Sequence, residues 1–158
     1  MDNGKFNLKK SFYILHFTFY IFIFGCATKT TPVYAVIDTP FVKAADQGFL
    51  EKGFNYKKLI IYKDASVPVE FTIYKNSVCL NKKCVSKNRF IKKLSPGYPK
   101  NLIDKIIEKK PIQNLGKIIK LKKGFLQKNE RFYYLVTKKK VLFKDKKKKI
   151  LIMIKEIK

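Results

Sequence analysis

The sequence predicts a β-rich α+β domain: an antiparallel sheet, or an open half-barrel, covered by one or two short helices and preceded by an N-terminal signal segment. Three observations carry this. Short runs with a period of two recur along the chain. Two segments of helical spacing interrupt them near the middle. The first 25 residues divide into a basic start and an uncharged apolar run.

The start holds Lys5, Lys9 and Lys10 against one acid, Asp2, and Ser11 to Phe24 then runs without a charge. A spanning helix needs roughly 20 apolar residues, and this run is shorter. A basic start, a short apolar run and a small residue before the cut define a secretory signal, predicted over 1–25. The run ends Ile23-Phe24-Gly25-Cys26. It resembles the bacterial lipobox, in which a cysteine thiol takes diacylglycerol and then a further acyl chain (palmitate is typical). Phe24 departs from the small residue usual there. The resemblance implies a lipoprotein cut before Cys26. Ala27, where an Asp would retain the protein at the inner membrane, implies the outer membrane, facing the periplasm.

Ala27 to Pro40 is rich in Thr and Pro. With Cys26 it reads as a lipidated flexible tether over 26–40, or Val33 to Ile37 pairs as an edge strand. A single β-rich domain follows over 41–158. Leu59 to Tyr62 is an apolar strand, and Val67 to Tyr74 alternates, with Val67, Val69, Phe71 and Ile73 on one side. Pro68 places the start of that strand at an edge. Ser77 to Ser86 forms a hairpin with a four-residue loop. Ser86 caps a helix to Leu94, with Phe90 and Leu94 on one face. Ser95-Pro96-Gly97-Tyr98-Pro99 breaks it. Asn101 caps a second helix to Lys109, with Leu102, Ile103, Ile106 and Ile107 in one stripe, and Pro111 stops it.

Five strands close the chain, near 115–121, 125–128, 131–137, 141–144 and 150–157, in a meander. Asp145 to Lys149 is a charged turn. Phe132, Tyr134 and Val136 face one side and Tyr133 and Leu135 the other, while Ile150 to Ile154 holds no polar residue. Such strands have both faces covered, or one face lining a cavity.

The formal charge is +25, yet Arg89 and Arg131 are the only arginines. Base readout and bidentate phosphate binding favour arginine, so no nucleic-acid partner is expected. Export turns the charge toward anionic lipid or another acidic envelope partner. Export also permits disulfides, and Cys79 and Cys84 stand opposite each other in the hairpin, at bridging distance. The single histidine, His16, lies in the leader. The mature chain therefore has no histidine-based triad, dyad or zinc site. Asp104 and Glu108, on the exposed side of a helix, are the only acids that the sequence brings together. No enzyme, no metal and no cofactor beyond the covalent lipid on Cys26 is expected.

The run VPVEFTIYKNSVCLNKKC, then YPKNLIDKIIEKKPI, then strands ending KKKKILIMIKEI is similar in order to the LolB family of outer-membrane lipoprotein receptors. Tyr98-Pro99, Leu102, Ile106 and Pro111 stand where that family carries a Leu-Pro … Leu … Trp … Leu … Gly … Pro motif. The Trp is missing here, and Glu108-Lys109-Lys110 replace small apolar residues. The resemblance implies an open half-barrel whose helices cover an apolar cavity for acyl chains, lipid or those of another lipoprotein. Phe71, Ile73, Leu102, Ile106, Phe132 and Tyr134 are the expected cavity residues. The alternative is a structural or interaction lipoprotein, with a filled β-sandwich core and a basic surface for an envelope partner.

Overall fold

A computed structural model describes residues 28–63 and 67–157. Six strands come first: β1 Lys29–Asp38, β2 Lys43–Lys52, β3 Tyr56–Lys63, β4 Val67–Tyr74, β5 Ser77–Leu80 and β6 Lys83–Ser86. Two helices follow, α1 Lys87–Leu94 and α2 Leu102–Glu108. Five strands end the chain: β7 Lys117–Leu121, β8 Gly124–Lys128, β9 Phe132–Thr137, β10 Lys140–Asp145 and β11 Ile150–Glu156. All eleven form one antiparallel sheet in the order β6-β5-β4-β3-β2-β1-β11-β10-β9-β8-β7. The chain builds outward from β1 to one edge and crosses through the helices to the other edge. It then returns to pair β11 with β1. The edge strands β6 and β7 do not pair with each other, so the sheet is unclosed.

Lys29–Asp38, expected within a flexible tether, is instead a central strand. Val33, Ala35 and Ile37 point inward and are buried. Their alternation is what a half-buried strand requires. Pro32 is accommodated because it stands at the end of the β1–β11 ladder, where its carbonyl accepts from Ile157 N at 3.1 Å and only the last reciprocal donor is missing. The sheet therefore takes in residues that precede 41, from Lys29 on. β2 was not distinguished in the sequence, because Lys43-Ala44-Ala45-Asp46-Gln47 has few large apolar residues. Its place depends on Gly48: a Cβ there would lie 1.8 Å from the Ile60 carbonyl oxygen, so only glycine lets β2 and β3 approach.

The β5–β6 hairpin turns on two residues, not four. Asn81 and Lys82 have φ of 45° and 71°, as a tight hairpin with right-handed twist requires. Ser86 caps α1, its hydroxyl accepting from the Arg89 N–H at 3.4 Å. Asn101 precedes α2 but gives no side-chain cap; its carbonyl accepts from Lys105 N at 3.0 Å. The helix ends at Lys109, which turns left-handed at φ 56°, before Pro111 is reached.

One core lies between the inner face of the sheet and the two helices. Leu59, Ile61, Phe71 and Ile73 from β3 and β4 meet Ile150, Ile152 and Ile154 from β11 in it. Phe90, Ile91 and Leu94 of α1 and Leu102, Ile103, Ile106 and Ile107 of α2 close it from above. The expectation that both faces of the last strands are covered holds for one face only. The other face of β9, β10 and β11 has no second layer among the described residues.

Candidate functional site

The layer between helices and sheet is where an apolar ligand would have to sit. It contains a void of about 30 Å³, lined by residues of β1, β3, β4, β11 and both helices. Small-molecule sites commonly measure about 300–1,000 Å³, so this interior is closed. Phe71 and Ile106 line this void, and the rings of Phe71 and Phe90 meet at 5.5 Å. The other four expected cavity residues lie elsewhere. Leu102 and Tyr134 are fully buried in packed core. The Tyr134 hydroxyl donates toward the carbonyls of Lys105 and Lys110, each 3.1 Å away, which anchors the end of α2. Burial raises its pKa. Ile73 borders an open groove, and Phe132 a shallow hollow beside Tyr98. The cause is volume: the helix side chains fill the concavity. Ile37, Phe90, Ile103 and Ile154 line the void without having been singled out as cavity residues. Phe90 and Ile103 fall on apolar helix faces in the sequence, Ile154 in a run without polar residues and Ile37 in the expected tether or its edge strand, and none of these patterns tells a void from its neighbours.

The open groove, about 930 Å³, runs past the β2–β3 turn and the start of both helices. Phe54, Tyr56 and Tyr74 give it apolar walls, and Lys57, Lys75, Lys87 and Lys100 give it charge. Two of those lysines are engaged. Lys57 donates to Glu108 and lies 3.7 Å from Asp104; Lys87 lies 2.9 Å from Asp104. The hydrogen bond from Lys57, helped by Lys110, holds the Glu108 carboxyl at about 2. Asp104 and Glu108 are thus ion-paired struts between β3 and the helices. A general acid near neutral pH would need a raised carboxyl, whereas that of Glu108 is lowered.

A second polar cluster ties the loop after α1 to β10. Asp145, expected in a charged turn, is fully buried. Its Oδ2 accepts from Arg131 Nη2 at 2.6 Å, from Arg131 Nε at 2.9 Å and from the Tyr98 hydroxyl. Its Oδ1 accepts from Lys148 N at 3.0 Å. Burial works to raise the Asp145 carboxyl, but the bonds from Arg131 and Tyr98 outweigh it and hold the group below its usual range. Arg131 also donates to Ser95 Oγ at 3.1 Å, and its guanidinium lies 4.5 Å from the Phe132 ring centre. Sequence reading missed this cluster, since its members come from three distant segments.

Cys79 and Cys84 form a disulfide across β5 and β6, directly opposite in register. Cys26 and the expected signal segment, 1–25, lie outside the described residues. Among the described residues, no cluster of three or more His, Cys, Asp or Glu could hold a metal, and no helix is long and apolar enough to cross a membrane. No protein-family model, curated protein or solved structure matches the chain.

Proposed function

We propose that the chain is a bacterial lipoprotein with a non-catalytic binding domain. It is exported by residues 1–25, cut before Cys26 and anchored by lipid on that cysteine in the outer membrane, facing the periplasm. The domain holds an acyl chain, of a lipid or of another lipoprotein, between the sheet and its two covering helices. One observation carries this reading. An unclosed antiparallel sheet and two helices inserted between its edge strands share an interface that is apolar around the void, with Thr39 its only polar lining residue. An unclosed sheet under two helices supports an open half-barrel of the kind that the resemblance to LolB implies. An acyl chain enters only as the helices move off the sheet, since the closed void is about 30 Å³.

A photoactivatable fatty acid presented to the full chain tests this. Labelling should fall on residues that line the void, such as Phe71, Phe90 and Ile106. Labelling confined to the open groove, or none, would overturn it. The small void favours a second reading, a lipoprotein with a filled core and a basic surface for an envelope partner; absent labelling would leave that one standing. Mass spectrometry of the mature N-terminus tests the anchor: a triacylated Cys26 is expected, and an unmodified chain from Cys26→Ala.

A further inference from the structure

The apolar residues on the uncovered face of the sheet are not consumed by the core. Strand register aligns them. Val36 of β1 stands opposite Met153, Met153 opposite Leu142, Leu142 opposite Leu135, Leu135 opposite Leu126, and Leu126 opposite Ile119 of β7. Six neighbouring strands therefore carry one continuous apolar row. At about 4.8 Å per strand the row is about 24 Å long. Five of its members are half-buried and Ile119 is 38% exposed.

The residues beside the row are as ordered as the row itself. Two positions along the strands on one side stand Lys144, Tyr133, Lys128 and Lys117, in register with one another. On the other side stand Lys155 and Lys140, with Tyr34 opposite Lys155. From β7 through β11 this face carries five lysines and no acid; β1 adds Asp38, 3.5 Å from Lys43. An apolar centre flanked by tyrosine and lysine matches an anionic bilayer surface: apolar side chains face the acyl boundary, and tyrosine rings and lysine heads sit among the headgroups. A second copy of the chain would set lysine against lysine. Location agrees. If Cys26 is the lipid anchor, β1 starts three residues after it, a reach of about 10 Å, and β1 carries Tyr34 and Val36 of this surface.

We infer that the outer face of β1 and β7–β11 docks onto anionic membrane through the Val36–Ile119 row. The inference rests on the lipoprotein reading for the nearby anchor alone. The row and its lysines stand without it.

The chain has no Trp, so a single tryptophan reports locally. The full chain carrying Cys26→Ala, which cannot be acylated, is mixed with phosphatidylcholine vesicles containing about one-third phosphatidylglycerol with brominated acyl chains. Leu135→Trp should shift to the blue and be quenched. Tyr133→Trp, beside the row, gives the same answer should Leu135→Trp not fold. Phe54→Trp, at the exposed β2–β3 turn, should not respond. Each lysine near an anionic surface contributes about fivefold in affinity, so Lys128→Gln with Lys144→Gln should weaken binding about 25-fold. No quenching at 133 and 135, equal quenching in neutral vesicles, or quenching at 54 alone would each overturn the inference. Acylation of the wild-type N-terminus is measured separately, so failure of the anchor and failure of this surface remain distinct results.

Discussion

Replacing Asp145 by alanine removes the centre of the polar cluster that fastens the α1–α2 loop to the sheet. The structure supplies the magnitude. Two charge-assisted bonds from Arg131, at 2.6 and 2.9 Å, are lost together with the Tyr98 contact. Tyr98 is 6% exposed, so its hydroxyl is left without a partner, at about 1–3 kcal/mol. The Arg131 side chain is 30% exposed and regains part of its hydration. Together these give a loss of about 3–4 kcal/mol, within the range for breaking a buried ion pair. Arg131→Ala breaks the same pair from the other side, and its pH dependence differs. In the native chain the Asp145 carboxyl is held low, so its stabilising contribution is present above the unfolded carboxyl range and is lost as pH falls through the folded value. Without Arg131, burial raises that carboxyl. The variant's deficit should therefore be largest near pH 7 and shrink toward pH 4, where the buried group is neutral. Tyr98→Phe, losing one hydroxyl, should cost about 1 kcal/mol. Urea unfolding followed by far-ultraviolet circular dichroism at both pH values measures all three. A loss below about 1 kcal/mol for Asp145→Ala, or a pH-independent loss for Arg131→Ala, would refute the reasoning.

Two further predictions concern the struts around the helices and the hairpin. Glu108 is held at about 2, so the stability it contributes through Lys57 is full above its ordinary carboxyl range and fades as pH falls from there toward 2; Glu108→Gln should flatten that part of the acid-unfolding profile, and an unchanged profile would show that the pair contributes nothing. Reducing the Cys79–Cys84 bridge, or replacing both cysteines by serine, should cost about 2 kcal/mol by loop closure for so short a loop. Calorimetry with and without reductant checks this, with loss of folding altogether as the contrary result.

Much of this protein was legible along the chain, because it depends on local order. The period-two alternation placed β4 and the C-terminal meander, and Ser86 with the Phe90 and Leu94 spacing placed α1. The Leu102, Ile103, Ile106 and Ile107 stripe placed α2, and the hairpin spacing paired the cysteines. The absence of histidine beyond His16 is likewise a property of the sequence by itself. What only the tertiary structure decided are relations between distant segments. β1 was read as part of a Thr- and Pro-rich tether, or as an edge strand over Val33 to Ile37; its pairing with β11, more than a hundred residues away, makes it the centre of the sheet. Asp145 was read as part of a charged turn, because nothing local announces that Arg131 and Tyr98 will meet it in the core. Four of the six expected cavity residues lie outside the void, because an apolar side chain looks the same in sequence whether it fills a space or borders one. The apolar row from Val36 to Ile119 follows the same rule. Alternation gives each residue its face, but only strand order and register, fixed by long-range hydrogen bonding, align the residues across six strands.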